Sequence, residues 1–398
     1  MSGLVTRALV TADRERAISL GEEAFGHWPG GVPDAPPVWP PDGIHAVGTF
    51  DGDELLAKLN GRDYHSWFGG TEIPTWGIAG VAVGAEHRGR RLLRDLFTAT
   101  FEEARSRRMA VSTLFLTAAG IYRSVGYELV GEWLRVELPT ASLARVAPAE
   151  GIRLRRAGPG DGASVQRVYE AWASRHNGPL TRTGPNFPDG ADTITEHYTG
   201  VTLAVDEVDA VVGYASWQRG SGYDASARID VGDLVGLTPD ATRALLRMLG
   251  SFATVTGAVV LRTSRPDLVD LALPGVHPPP VESRPYMLRV LDLPGAVAPR
   301  RYPPALDAAY GLAVAGDTFG DLDGGWRITV RDGRARCERA DNVDGPTFTV
   351  GGLSVLYAGV MRVAQLRMAG LVTGGDPARD ADLDAVFVGP GFHIRDYF

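Results

Sequence analysis

The feature that most limits what this chain can fold into is that its first 290 or so residues spell out one order of elements twice. A strand, Leu4–Val10, carries Arg-Ala, and a second, Ile152–Ala157, ends in Arg-Arg-Ala. Each passes an Asp at a turn, Asp13 or Asp161, into a segment with helical spacing of apolar residues. The first of these is Arg14–Phe25, and the second carries Val165, Val168, Tyr169 and Trp172. Hairpins follow: His45–Phe50 with Glu54–Asn60 around Asp51-Gly52, and Val201–Val205 with Val211–Gln218. Then come a long strand (Thr75–Val83, Arg228–Gly236), a short loop and a helix (Leu92–Arg107, Ala241–Phe252). Closing strands are expected at Val111–Leu116, Glu132–Leu138, Val259–Thr263 and Pro285–Leu291. Matching halves imply a tandem fold, and this order of strands and helices implies an α/β design.

The pattern changes near Leu293. Leu306–Val314 reads as an edge element, and Gly325–Val330 with Arg334–Glu338 forms a hairpin around Asp332-Gly333. Thr347–Val350 reads as a strand and Gly352–Met368 as one helix, which together make a small α+β domain. The expected units are therefore residues 1–147, 148–291 and 292–398, consistent with the two to four domains that 398 residues allow. Loops are expected at Pro29–Pro41 and Pro278–Pro280.

Charge and cysteine content narrow the function. A net charge of −8 argues against a nucleic-acid partner and suits a cationic substrate. Cys337 is the only cysteine, which fits a reducing cytosol, and the first sixteen residues are too polar for a signal peptide. No apolar run approaches the roughly 18–20 residues of a membrane span, so no membrane partner is expected. The eight His residues show no zinc-ligand spacing, so no metal is expected.

The strongest chemical signal is Ile78–Arg94, a buried strand feeding a cationic loop that opens a helix. Helix N-termini present free N–H groups and partial positive charge. Gly89 lets the backbone approach an anion, and Arg88 and Arg90 add charge. Val81, Ala82 and Val83 offer strand backbone for pairing with an extended, amide-bearing ligand. An amide arm joined to a pyrophosphate describes coenzyme A, among other phosphate ligands. The corresponding loop of the second half, Gly236–Asp240, lacks basic residues and carries Asp240, which would repel a pyrophosphate. Further on, Gly120-Ile121-Tyr122-Arg123-Ser124-Val125-Gly126-Tyr127 sets two tyrosines five apart. A Tyr hydroxyl is protonated at neutral pH and can serve a departing thiolate as an acid.

The strand, His-Arg-Gly-Arg-Arg loop and helix resemble the acetyl-CoA signature of GNAT enzymes, R/Q-x-x-G-x-G/A. Arg88 matches its first position, while Arg91 stands at its first Gly and Leu93 at its final small residue. The Gly-Ile-Tyr-x-x-x-Gly-Tyr pattern, the stretch Asp332–Cys337 and the aromatic terminus Asp396-Tyr397-Phe398 together resemble the Eis (enhanced intracellular survival) family of acetyltransferases. That resemblance implies two GNAT domains, a sterol-carrier-protein-like third domain and a homo-hexamer. It implies acetyl-CoA as cosubstrate, bound at Val81–Val83 and at Arg88, Gly89, Arg90, Arg91 and Leu92 of the first half only. It implies transfer to primary amines of aminoglycosides, polyamines or lysine side chains. Tyr122 would be the general acid and the terminal carboxylate of Phe398 the general base, with Phe25, His27 and Trp28 near the amine. The competing reading is a non-catalytic scaffold that keeps the fold, for which Arg91 in the loop is the main support.

Overall fold

A computed structural model describes residues 3–28, 31–32, 36–264, 267–273 and 278–398. The expected loop from Pro29 to Pro41 lies partly outside these residues, and Pro280 already belongs to a strand.

The first half supplies β1 (Val5–Ala8), β2 (Ile44–Asp51), β3 (Glu54–Phe68), β4 (Thr71–Val83), β5 (Val111–Phe115) and β6 (Glu128–Pro139). The second supplies β7 (Arg153–Arg156), β8 (Gly200–Val205), β9 (Val211–Arg219), β10 (Arg228–Gly236), β11 (Ala258–Thr263) and β12 (Pro280–Val290). All twelve form one sheet in the order β1-β2-β3-β4-β5-β12-β6-β11-β10-β9-β8-β7. The two halves are therefore fused by exchange. β12 lies against β5 of the first half, and β6 lies against β11 of the second. The strands β3 and β4 run well beyond the expected segments, joined by a tight turn at Gly69-Gly70.

The repetition extends to single contacts. Arg7 pairs with Asp13 at 2.6 Å, and Arg155 pairs with Asp161 at 2.7 Å. Each Asp also accepts a backbone N–H three residues earlier, from Val10 or Gly158. The guanidinium and these hydrogen bonds hold Asp161 down at about 2 and Asp13 below the usual carboxylate range.

In the first half, α1 (Arg14–Phe25) and α2 (Leu92–Ser106) cover opposite faces of the sheet. Ala17 and Leu20 of α1 pack with Ala46 and Ala82, whereas Leu96, Phe97 and Phe101 of α2 pack with Val47, Leu59 and Trp76. Alternation along the strands separates the two sets. Full burial of a side chain such as Leu96 or Phe97 contributes roughly 1.5–3 kcal/mol.

The third domain has its own sheet, β13 (Ala308–Val314), β14 (Gly324–Arg331), β15 (Arg334–Arg339), β16 (Thr347–Phe348) and β17 (Val372–Thr373), in the order β15-β14-β13-β16-β17. The segment expected at an edge, β13, is thus the central strand. It reads as weak because it is short and interrupted by Gly311. The expected single helix is two, Val350–Ala358 and Val363–Met368, parted at Gly359 with φ 76°. All nine residues of Val350–Ala358 are buried. They share one apolar core with Tyr286 and Leu288 of β12, so this domain is packed onto the joint between the halves.

Candidate active site

The site begins where β4 leaves β5. The two pair in parallel from Thr75/Val111 to Ile78/Leu114 and then separate, while β4 continues to Val83. A bulge drives the separation: Gly80 and Val81 stand opposite the single residue Leu59. Gly80 has φ +59°, which a glycine adopts without strain.

The gap opens into a cleft of about 660 Å³. It brings together Val81, Ala82 and Val83 of β4, the loop residues Arg88, Gly89, Arg90 and Arg91, Leu92 at the start of α2, Phe25 of α1, and Tyr122. Ala24, Leu93, Thr117, Ala118 and Ile121 also line it, and the sequence reading passed over these. The three arginines are exposed. No side chain among the described residues caps α2, so its first N–H groups have no side-chain partner there. The loop is held by α1, by β3 and by a contact within itself. Glu23 of α1 accepts from Ala85 N at 2.7 Å. Arg90 donates to His87 Nδ1 at 3.0 Å, and His87 Nε2 donates to Glu54 at 3.1 Å. Arg91 adopts φ 60°, ψ 24°, a left-handed conformation that explains why the GNAT signature prefers Gly there.

Tyr122 sits on α3 (Ala119–Arg123), is 5% exposed and packs edge-on to Phe97 and Tyr127. Burial raises its pKa, partly offset by the Thr117 side chain, so the phenol keeps its proton at neutral pH. The buried pair Arg289–Asp317, at 2.7 Å, fixes the end of this segment, with Arg289 donating to Val125 O at 3.0 Å. Tyr127 is a core residue, its hydroxyl 2.5 Å from Ser112 Oγ.

The Phe398 ring lies 4.9 Å from Tyr64 and 5.5 Å from Phe115, on the α1 side of the sheet. Here Gly77 leaves it room: a Cβ at Gly77 would come within 3.0 Å of the ring. The tail leading to it is docked by the second half and by β6. Trp133 donates to Arg395 O at 3.0 Å, Ile394 N donates to Ser264 Oγ at 3.0 Å, and His393 pairs with Asp267 at 2.9 Å. Asp396 pairs with Arg182 at 2.9 Å, and Arg182 also holds the buried Asp233 of β10. Arg182 and Asp396 carry no local sequence signal, because their partners lie 51 or more residues away.

Not every expected residue converges. The His27 side chain is 92% exposed and lies 3.3 Å from Glu22, outside the cleft. Trp28 lines a neighbouring cavity of about 350 Å³ over β3. Among the described residues no group of three or more His, Cys, Asp or Glu is placed to hold a metal. No helix among them is long and apolar enough to cross a membrane.

A strand splayed from its neighbour at a bulge, above a cationic turn at a helix N-terminus, defines the class: a tandem GNAT acyltransferase fold. Sequence comparison agrees along the chain. Residues 6–130 and 167–290 each match a family described as an acetyltransferase (GNAT) domain, and residues 293–392 match the sterol carrier protein domain. An uncharacterised N-acetyltransferase of Streptomyces avermitilis is 27% identical over 357 residues, 82% of this chain and 81% of that protein. The N-acetyltransferase Eis of Mycobacterium tuberculosis is 26% identical over 375 residues, 89% of this chain and 90% of that protein. The crystal structure of a GCN5-related N-acetyltransferase from Kribbella flavida matches over 100% of both chains, with a TM-score of 0.83 and 28% identity. Eis1 from Mycobacterium abscessus shares the fold over 100% of both chains, with a TM-score of 0.75 and 21% identity. The chain is an N-acetyltransferase with two GNAT domains, similar along its length to the Eis type.

Proposed function

We propose that the first half binds acetyl-CoA and transfers its acetyl group directly to a primary amine. The observation that carries this is the single cleft in which the splayed β4, the cationic loop, the uncapped α2 and Tyr122 all meet. These residues fit the ligand. Backbone of Val81–Val83, released from β5, pairs with its amide arm. Arg88, Gly89, Arg90, Arg91 and the N–H groups at Leu92 hold its pyrophosphate. The bound group supplies an acetyl thioester.

The chain's own groups then move the protons. The Phe398 carboxylate accepts a proton from the ammonium of the acceptor. As the N–C bond forms and the C–S bond breaks, Tyr122 gives its proton to the sulfur and takes up the second proton lost from the acylated nitrogen. An α-carboxylate is a weak base, so its value depends on fixed placement, which supports a role for the docked tail. Phe25 stands at the mouth of the same cleft. A homo-hexamer is part of this reading, carried by the family resemblance and checked by light scattering at micromolar concentration. The test of the function is thiol release from acetyl-CoA over a panel of amines. Calorimetry should give one acetyl-CoA site per chain, and absence of both binding and release defeats the reading.

A further inference from the structure

We propose that the acceptor amine also carries an acidic group, held by Lys58 and Arg62 in the cavity beside the β4 bulge, so that the substrates are amino carboxylates with an apolar or aromatic body. This rests on the acetyl-transfer reading above and names the substrate class of the same site.

Lys58 is the only lysine in 398 residues. It lies on β3, is 8% exposed, and forms part of the floor of the 350 Å³ cavity with Asn60 and Arg62. Trp28 and Trp39 line the same space. No carboxylate among the described residues lines it. The nearest acids of α1 and β3 are engaged elsewhere: Glu22 with His27, Glu23 with Ala85 N, and Asp63 with His45 and Arg107. Arg62 is similarly short of partners. Among the described residues its buried Nε has none, and its Nη1 donates only to Tyr64 Oη, at 3.4 Å. Residues at even spacing on a strand share a face, so Lys58 and Arg62, four apart with Asn60 between them, face one cavity. A buried charge without a partner is costly, and burial alone pushes the Lys58 ammonium down to about 8. An anion in the cavity against Lys58, with Arg62 facing the same space, removes that penalty, whereas a polycation adds to it.

The cavity also leads to the reacting centre. A Cβ at Gly80, the bulge glycine next to Val81, would lie 3.9 Å from Lys58 Nζ. At the other end Arg62 touches Tyr64, whose ring lies 4.9 Å from that of Phe398. An acid seated on Lys58 and Arg62 therefore leaves its amine a few bonds away, between the bulge and the tail, with the two tryptophans against the apolar body.

The single lysine makes the test direct. Protein labelled with ¹⁵N,¹³C-lysine gives one side-chain signal, whose titration midpoint is expected near pH 8. Saturating L-phenylalanine should raise that midpoint by a unit or more, and spermine should not raise it. In thiol-release assays kcat/KM for L-phenylalanine should exceed those for its amide and methyl ester at least tenfold. Lys58→Met should collapse that ratio towards one, and Lys58→Arg should restore part of it. An unmoved lysine signal with L-phenylalanine, equal rates for acid and ester, or a preference for spermine overturns the proposal. If L-phenylalanine shifts the signal but no amine is acetylated, the anion site stands and the transfer reading fails. If spermine is acetylated and L-phenylalanine neither binds nor reacts, the transfer reading stands and this proposal falls.

Discussion

The two GNAT halves share a bulged central strand and a following helix, yet they treat the gap beside that strand in opposite ways. In the first half the gap is a cleft above three exposed arginines, and no side chain among the described residues caps the helix beneath it. In the second, Thr238 caps the helix Pro239–Gly250 by accepting from Ala241 N at 3.1 Å, and Pro239 removes one donor. Asp240 is held by Glu150 N at 3.0 Å and by Arg243. Next to the second bulge, Asp233 is paired with Arg182, which also grips Asp396 of the tail. One copy of the fold therefore leaves its helix N-terminus uncapped by any described side chain. The other satisfies its own groups and serves as the dock for the chain's final residues. Duplication frees one copy for positioning work because a fold needs the sheet and core, while the ligand site needs only the loop at its edge.

That contrast breaks most completely at the tail. A short C-terminal extension, or deletion of Phe398, should abolish acetyl transfer while acetyl-CoA still raises the melting temperature. Full activity in the extended protein would pass the base role to a side chain. Asp396→Asn weakens the dock from the second half and should lower kcat with little change in acetyl-CoA affinity, measured by calorimetry. A parallel loss of affinity would mean that the second half supports the cofactor cleft as well.

Tyr122→Phe tests the chemistry of the first half alone. Turnover should fall 10²–10⁴-fold with acetyl-CoA binding retained, since the ring packing against Phe97 and Tyr127 survives. Wild-type turnover would return Tyr122 to a packing role. The loops come next. Arg88→Ala should weaken acetyl-CoA binding about tenfold, the value of one charge-assisted contact, while Asp240→Ala should leave it unchanged. Two sites by calorimetry, or sensitivity to Asp240 alone, would erase the asymmetry.

Stability changes are smaller in consequence. The Lys58 ammonium titrates at about 8 in the folded chain against 10.5 when free. The unfolded chain thus binds the proton more tightly between these values. The penalty is complete below pH 8 and is relieved as pH rises to 10.5. Lys58→Met should therefore gain on the order of 3 kcal/mol at pH 7, fading between pH 8 and 10.5, by denaturant unfolding. Arg91→Gly removes a left-handed arginine and should gain about 1 kcal/mol, with acetyl-CoA binding at least as tight.

The sequence by itself determined what is local. Arg14–Phe25 is helical because its apolar residues recur at helical spacing behind Asp13, and the expected and observed bounds coincide. The cationic loop is legible because its arginines and glycine stand together between a strand and a helix. The tandem order is legible because it is written twice. Tertiary structure decided the rest. The exchange of β6 and β12 depends on pairing residues roughly 150 positions apart, such as Glu132 with Pro285, and no period of 2 or 3.6 encodes a partner. The splitting of the last long helix at Gly359 follows from a left-handed backbone that packing imposes. Lys58 shows the reason most clearly. A lysine alternating with Asn60 and Arg62 on a strand reads as a solvated face. It became a buried ammonium because α1, Trp28 and Trp39 lie over that face. Local sequence fixes the shape of an element. Burial of a charge is a property of whichever two surfaces meet, and those surfaces are distant in the chain.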